Sequence, residues 1–122
     1  MMNEKVTELG GTNSHFVNAN GLHDDEHYTS AHDMALIGSA VFKYEEFRKI
    51  TGTRQYTIGP TALTSESRTF QQNHKMLFQG NRNYYEYCVG GKTGYTDQAL
   101  TTLVTFATKD DKNLVAVTLR VH

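Results

Sequence analysis

Residues 99 to 121 constrain this chain more than any other stretch. "ALTTLVTFAT" and "NLVAVTLRV" are strand-length runs joined by the hairpin-sized turn "KDDKN". In the second run Val115, Val117, Leu119 and Val121 alternate with Ala116, Thr118 and Arg120, the pattern of a half-buried strand. "YYEYCV" reads as a third strand-like run before them. The last third of the chain is therefore predicted to be an antiparallel meander.

Upstream the period changes from two to about 3.6 residues. "MMNEKVTELGG" puts Met2, Val6 and Leu9 on one helical face, with Gly10 or Gly11 free to take the left-handed position that ends a helix. No capping residue precedes that stripe, so the chain starts as though inside a helix. "TNSHFVNANGLHDDEH" is turn-forming, with a corner at Asn20-Gly21. "YTSAHDMALIGSAVFK" is a helix capped by Ser30, with Asp33 in capping-box position and Met34, Ile37 and Val41 on one face. "YEEFRKIT" is a second short helix ended by Gly52, and "RQYTI" a short strand ended by Pro60. "TALTSESRTFQQNHKMLFQGNRN" reads as a long loop with one helical turn near Lys75 to Phe78. The class is α+β, helices first and then a three-stranded antiparallel meander.

Composition narrows the function. The net charge of −1 leaves no basic footprint for nucleic acid or an anionic membrane. The first residues are amphipathic and charged, unlike a signal peptide. Cys88 is the single cysteine and reads as a small buried hydrophobe.

The chemistry-bearing stretch is "VGGKTGYTD". Glycines inside a strand mark a bulge or a close backbone approach. This is not a phosphate-binding loop, because Glu86 stands where the first glycine of that motif is required. On a strand, Lys92 offers a cation, Thr93 a hydroxyl, and Gly94 room for a second backbone. Together these suit an extended peptide ending in a carboxylate. Lys-Thr-Gly is also one of three elements of penicillin-recognising enzymes, beside Ser-x-x-Lys and a Ser-x-Asn or Ser-Asp-Asn triplet.

In order, "MNEKVTELGGTNSHFVNANGLHDDEHYTSAHDMALIGSA", "EEFRKI", "NHKMLF" and "GGKTGYTDQA...TLVTFATKDDKNLVAV" strongly resemble the later part of serine-type D-Ala-D-Ala carboxypeptidases, the low-molecular-weight penicillin-binding proteins. The resemblance runs over residues 2 to 121. Leu100 stands where such sequences usually carry a glycine, and His74 where an asparagine commonly precedes the lysine. The resemblance implies an extracytoplasmic, metal- and cofactor-free enzyme that takes peptidoglycan stem peptides and is acylated by β-lactams. By position, Lys92 and Thr93 would hold the substrate's terminal carboxylate, Gly94 would permit close approach, and the backbone N–H of Tyr95 would be an oxyanion-hole donor.

The nucleophile is missing. Three residues after Ser14, Ser30, Ser39, Ser65 and Ser67 stand Val17, Asp33, Phe42, Arg68 and Phe70, so there is no Ser-x-x-Lys, and no serine begins a Ser-x-Asn. In the family both elements precede "MNEK". Residues 1–122 are thus expected to be the C-terminal portion of a β-lactamase/transpeptidase-like catalytic domain, without its N-terminal strands and nucleophile helix. The strands around Lys92, Val104 and Val117 would be the last three of five, and the chain alone is expected to be inactive. The strand at 114–121 would then be an unpaired edge that invites self-association.

Two other functions fit some of the same residues: a non-catalytic peptidoglycan-binding module, and a class A β-lactamase-like enzyme, which shares Lys-Thr-Gly. His23, Asp24, Asp25, Glu26, His27 and His32 are ligand types for a transition metal, but they read as a solvated loop before a helix. Tyr84, Tyr85 and Tyr87 read as packing aromatics at alternating strand positions.

Overall fold

A computed structural model describes all of residues 1–122. Three helices, α1 (Met2–Glu8), α2 (Ala31–Val41) and α3 (Glu45–Gly52), precede a hairpin of β1 (Gln55–Ile58) and β2 (Arg68–Gln71). A 3-10 turn at Lys75–Leu77 leads into a second, antiparallel sheet, ordered β3 (Cys88–Thr96), β4 (Leu100–Lys109), β5 (Lys112–Val121). No helix is long and apolar enough to cross a membrane.

The helix boundaries follow from local chemistry. Gly10, at φ +89°, ends α1: its N–H meets the Thr7 carbonyl at 3.0 Å and the Gly11 N–H meets the Val6 carbonyl at 2.9 Å. That pair of bonds is a Schellman cap, which satisfies the helix's last carbonyls. Ser30 caps α2 by accepting the Asp33 N–H at 3.1 Å. The second half of the expected capping box does not form. The Asp33 carboxylate turns the other way and accepts the Asn13 N–H and the Ser14 hydroxyl, each at 2.8 Å. Those bonds tie the loop after α1 to the start of α2. Asn3 fastens the same loop to α1, donating to the Phe16 carbonyl at 3.0 Å and accepting its N–H at 2.7 Å.

The β4–β5 hairpin forms as the alternation predicts. Asp110 and Asp111 occupy its corner at φ +49° and +59°, the left-handed pair of a two-residue turn whose twist matches that of the strands. Val115, Val117 and Leu119 are half-buried while Ala116, Thr118 and Arg120 are exposed. Val121 departs from the expected face. A bulge sets two residues, Leu119 and Arg120 (φ +56°), opposite Thr102, and this flips Val121 to the other side of the sheet.

Two further expectations are corrected. The loop reading of 61–83 missed β2, which pairs residue for residue with β1 from Gln55↔Gln71 to Ile58↔Arg68. Every strand residue of that hairpin is exposed, so no buried face stamped a period on its sequence. "YYEYCV" is not a strand: residues 84–87 run through turns, and pairing begins at Cys88. Tyr85 and Tyr87 meet edge-on at 5.5 Å, and Lys109 Nζ lies 4.5 Å from the Tyr87 ring centre. The glycine-rich stretch itself is the strand.

The core lies between α2, α3 and the sheet. Phe106 of β4 is 1% exposed, stacks on Phe42 at 5.0 Å and meets Phe47 edge-on at 5.6 Å. Gly38 lets α2 lie on β5, since a methyl there would sit 2.8 Å from Val115 Cγ1.

Candidate functional site

β3 is one of the two edge strands of the sheet, and its glycines are accounted for by neighbours within the chain. Val89 is an extra residue in the pairing with β4, because Cys88 faces Ala107 while Gly90 faces Phe106. A Cβ on Gly90 would come within 3.1 Å of the Thr51 backbone, so its bareness lets the end of α3 rest on the strand. A Cβ on Gly91 would lie 2.2 Å from the His74 ring and 2.5 Å from the Val104 carbonyl. Gly94 sits over the Thr102 hydroxyl, 2.5 Å from where its Cβ would be.

Three smooth positions therefore present Lys92, Thr93 and Tyr95 from a strand clamped between α3 on one face and the 3-10 turn on the other. Strand alternation sends Lys92 to the α2 face and Thr93 to the opposite one. Because the strand has no outer neighbour, both reach the rim of an open cleft of about 910 Å³. Phe16, Asn20, His27 and Met34 form its far wall.

Lys92 is exposed, and its Nζ donates to the Thr93 carbonyl. By the two-residue period of a strand, the Tyr95 N–H points the same way as that carbonyl. The Tyr95 side chain is exposed, with its hydroxyl 3.2 Å from Asp97 Oδ1.

No serine lines this cleft. The Ser14 hydroxyl is held by Thr29 Oγ1 at 2.7 Å and Asp33 Oδ2 at 2.8 Å, and Ser30 is spent as a helix cap. The histidine- and acid-rich loop does not assemble a metal centre. His27 Nδ1 accepts the Val17 N–H at 3.1 Å, His23 faces Asp25 at 3.3 Å, and no three candidate ligands converge.

Two buried polar groups, Asp33 at the start of α2 and His74 against β3, were not legible as such. Asp33 is 1% exposed, and hydrogen bonds from Ser14 and Asn13 lower its carboxyl pKa to about 2. His74 is equally buried, with Nε2 3.1 Å from Thr105 Oγ1 and 3.8 Å from Cys88 Sγ. Burial lowers the His74 pKa and raises that of the Cys88 thiol, so the cysteine is a protonated core residue.

An edge strand offering a cation, a hydroxyl and free backbone groups over an open cleft has the geometry that suits an extended peptide paired along its edge. A model of the D-alanyl-D-alanine carboxypeptidase family (peptidase family S11) matches residues 1–122. The chain belongs to that family. It is 34% identical to the D-alanyl-D-alanine carboxypeptidase DacF of Bacillus subtilis over 116 residues, which are 95% of this chain and 28% of that protein. It is 33% identical to the carboxypeptidase DacA of Escherichia coli K12, over 98% of this chain and 27% of the relative. Among solved structures, the Streptomyces K15 DD-transpeptidase superposes with a TM-score of 0.84 at 29% identity, over 97% of this chain and 44% of that one. The D-alanyl-D-alanine carboxypeptidase of Mycobacterium tuberculosis H37Rv gives 0.79 at 27% identity, over 97% and 42%. The chain thus spans less than half the length of each.

Proposed function

We propose that these 122 residues are the substrate-gripping portion of a serine D-Ala-D-Ala carboxypeptidase domain. The observation that carries this reading is Lys92-Thr93-Gly94 on a free, rigidly backed edge strand above an open cleft. A stem peptide ending in D-Ala-D-Ala lies along β3. Lys92 and Thr93 take its terminal carboxylate, and Gly94 keeps the strand edge unobstructed. The Tyr95 N–H donates to the penultimate carbonyl oxygen as it becomes an oxyanion, a contact worth roughly 3–4 kcal/mol when preorganised. A serine hydroxyl attacks that carbonyl, free D-alanine leaves, and water hydrolyses the acyl-serine. The serine and its activating lysine belong to residues other than these. The whole enzyme works on peptidoglycan outside the cytoplasm and is blocked by β-lactams, whose carboxylate takes the place of the substrate's.

The test is intact mass after incubation with a fluorescent penicillin, with Lys92→Ala in parallel. The expected result is an unchanged mass for both, together with backbone-amide shifts at residues 91–95 when acetyl-D-Ala-D-Ala is added, weakened by Lys92→Ala. A stoichiometric acyl adduct on the 122-residue chain would place the nucleophile within it and overturn the division of labour. The serine-free cleft also suits a binding module with no turnover. Extending the chain with a relative's Ser-x-x-Lys segment separates the two readings: acylation supports the enzyme, and tight peptide binding without acylation supports the module.

A further inference from the structure

His74 stands beneath the strand that carries the site. Its imidazole lies on the sheet face opposite α2, against the Gly91 backbone one residue before Lys92. A Cβ on Gly91 would fall 2.2 Å from His74 Cδ2 and 2.6 Å from Nε2. The ring is anchored on three sides. Its own backbone begins the 3-10 turn, the carbonyl accepting the Leu77 N–H at 3.1 Å. Nε2 meets Thr105 Oγ1 of β4 at 3.1 Å, directly across the sheet from Gly91. The Cys88 thiol, which donates to the Gly90 carbonyl at 3.7 Å, closes the third side with its sulfur 3.8 Å from Nε2. The residue before it, Asn73, lines the cleft together with Lys92 and Thr93.

We propose that His74 is a positioning residue for the peptide-gripping strand: wedged between Gly91 and Thr105, it sets the height of β3 at Lys92 and Thr93 and the placement of Asn73 in the cleft wall. This rests on the reading of β3 as the substrate strand. No ligand need touch the ring, so its role is carried entirely through Gly91 and Asn73. Glycine at 91 and histidine at 74 are complementary shapes, since any side chain on Gly91 would occupy the space of the ring.

The arrangement depends on a neutral imidazole. With its proton on Nδ1, the ring accepts the Thr105 hydroxyl at Nε2. When protonated it loses that acceptor and buries a cation. The groups facing it are the Cys88 thiol from β3 and the Thr105 hydroxyl from β4, and its lowered pKa arises from burial alone, with no charged neighbour. The sign follows from linkage. The unfolded chain binds this proton below a pH of about 6.5, the folded one only at lower pH. The anchor's contribution is therefore full above that value and is lost as pH falls through the folded pKa.

The experiment is a pH titration by NMR of the ligand-free chain, following the His74 ring and the amides of residues 91–95, repeated with millimolar acetyl-D-Ala-D-Ala. Three variants accompany it: His74→Gln, His74→Ala and Thr105→Val. The β3 amides are expected to shift with the midpoint of the His74 ring. His74→Gln, whose amide can accept from Thr105 without titrating, should abolish that step and keep peptide affinity within about threefold. His74→Ala should lower affinity about tenfold or more, the scale of a misplaced contact in a site. Thr105→Val, which replaces the hydroxyl with a methyl of similar size, should weaken binding in the same direction and shift the ring's titration. β3 amides that ignore the ring's titration, or a His74→Ala chain that folds and binds like wild type, would overturn the proposal. If no peptide binds at any pH while β3 still follows the ring, the substrate-strand reading fails and the anchor stands.

Discussion

Leu100 shows how one residue can carry a cost that the rest of the fold absorbs. It opens β4 at φ +58°, a left-handed conformation costing a branched residue roughly 1–2 kcal/mol. Its half-buried side chain returns about 1 kcal/mol of that. The two effects nearly cancel, so Leu100→Gly should leave stability within about 1 kcal/mol of wild type, where the same change in an unstrained strand would cost about 1.5–2 kcal/mol. Urea denaturation decides the matter, and a loss of the larger size would refute the strain argument. Asp33 makes the opposite case, a charge held in place by donors. Its carboxyl pKa of about 2 lies below the ordinary 3.8, so its contribution is present above the higher value and is lost as pH falls toward the lower. Asp33→Asn should lower the melting temperature at pH 7 and flatten its decline between pH 4 and pH 2. An unchanged acid limb would count against the Ser14–Asp33–Asn13 clamp as its source.

At the scale of elements, the β4–β5 hairpin and the helices were legible because each repeats a simple period along one face. The β4–β5 turn also suggests an improvement. Asp111 stands at φ +59° in the second corner position, where glycine adopts the geometry without strain. Asp111→Gly should raise stability by about 0.5–1 kcal/mol without moving the strands, readable as a higher urea midpoint with unchanged slope. The β1–β2 hairpin was illegible for the converse reason: exposed on both faces, its pairing is held by backbone bonds and by contacts such as Thr57 Oγ1–Thr69 Oγ1 at 2.9 Å. The tyrosines at 84–87 misled because aromatic residues favour strands in general, whereas here the Tyr85 N–H is drawn to the Met76 carbonyl at 3.1 Å, which holds the segment in a turn.

The whole molecule is short of interior. Its accessible surface is 9137 Å², against about 6,600 Å² expected for a compact monomer of this mass. Only Val6, Phe42, Leu77, Cys88 and Phe106 are buried hydrophobic residues. Apolar side chains of α1 and α2, among them Leu9, Met34, Ile37 and Val41, line an open groove. The outer edge of β5 has no partner strand, and Leu114 on it is 62% exposed. We propose that this edge drives self-association of the 122-residue chain. Sedimentation velocity should show a concentration-dependent dimer or larger species, reduced by Leu114→Lys, because a charge on an edge strand blocks pairing. A single monomeric species at high concentration would defeat the idea.

Short-range periodicity and turn chemistry were enough to read the α+β order, the glycine end of α1, the Ser30 cap, the β4–β5 hairpin and the Lys92-Thr93-Gly94 strand, because each depends on residues within a few positions of one another. Only the tertiary structure decided which faces meet. It turned the Asp33 carboxylate toward Asn13 and Ser14, carried Val121 across the sheet through a bulge, and set His74 beneath Gly91 and beside Thr105, 31 residues away. Those contacts join residues far apart in sequence, and a long-range partner leaves no period in the chain that makes it.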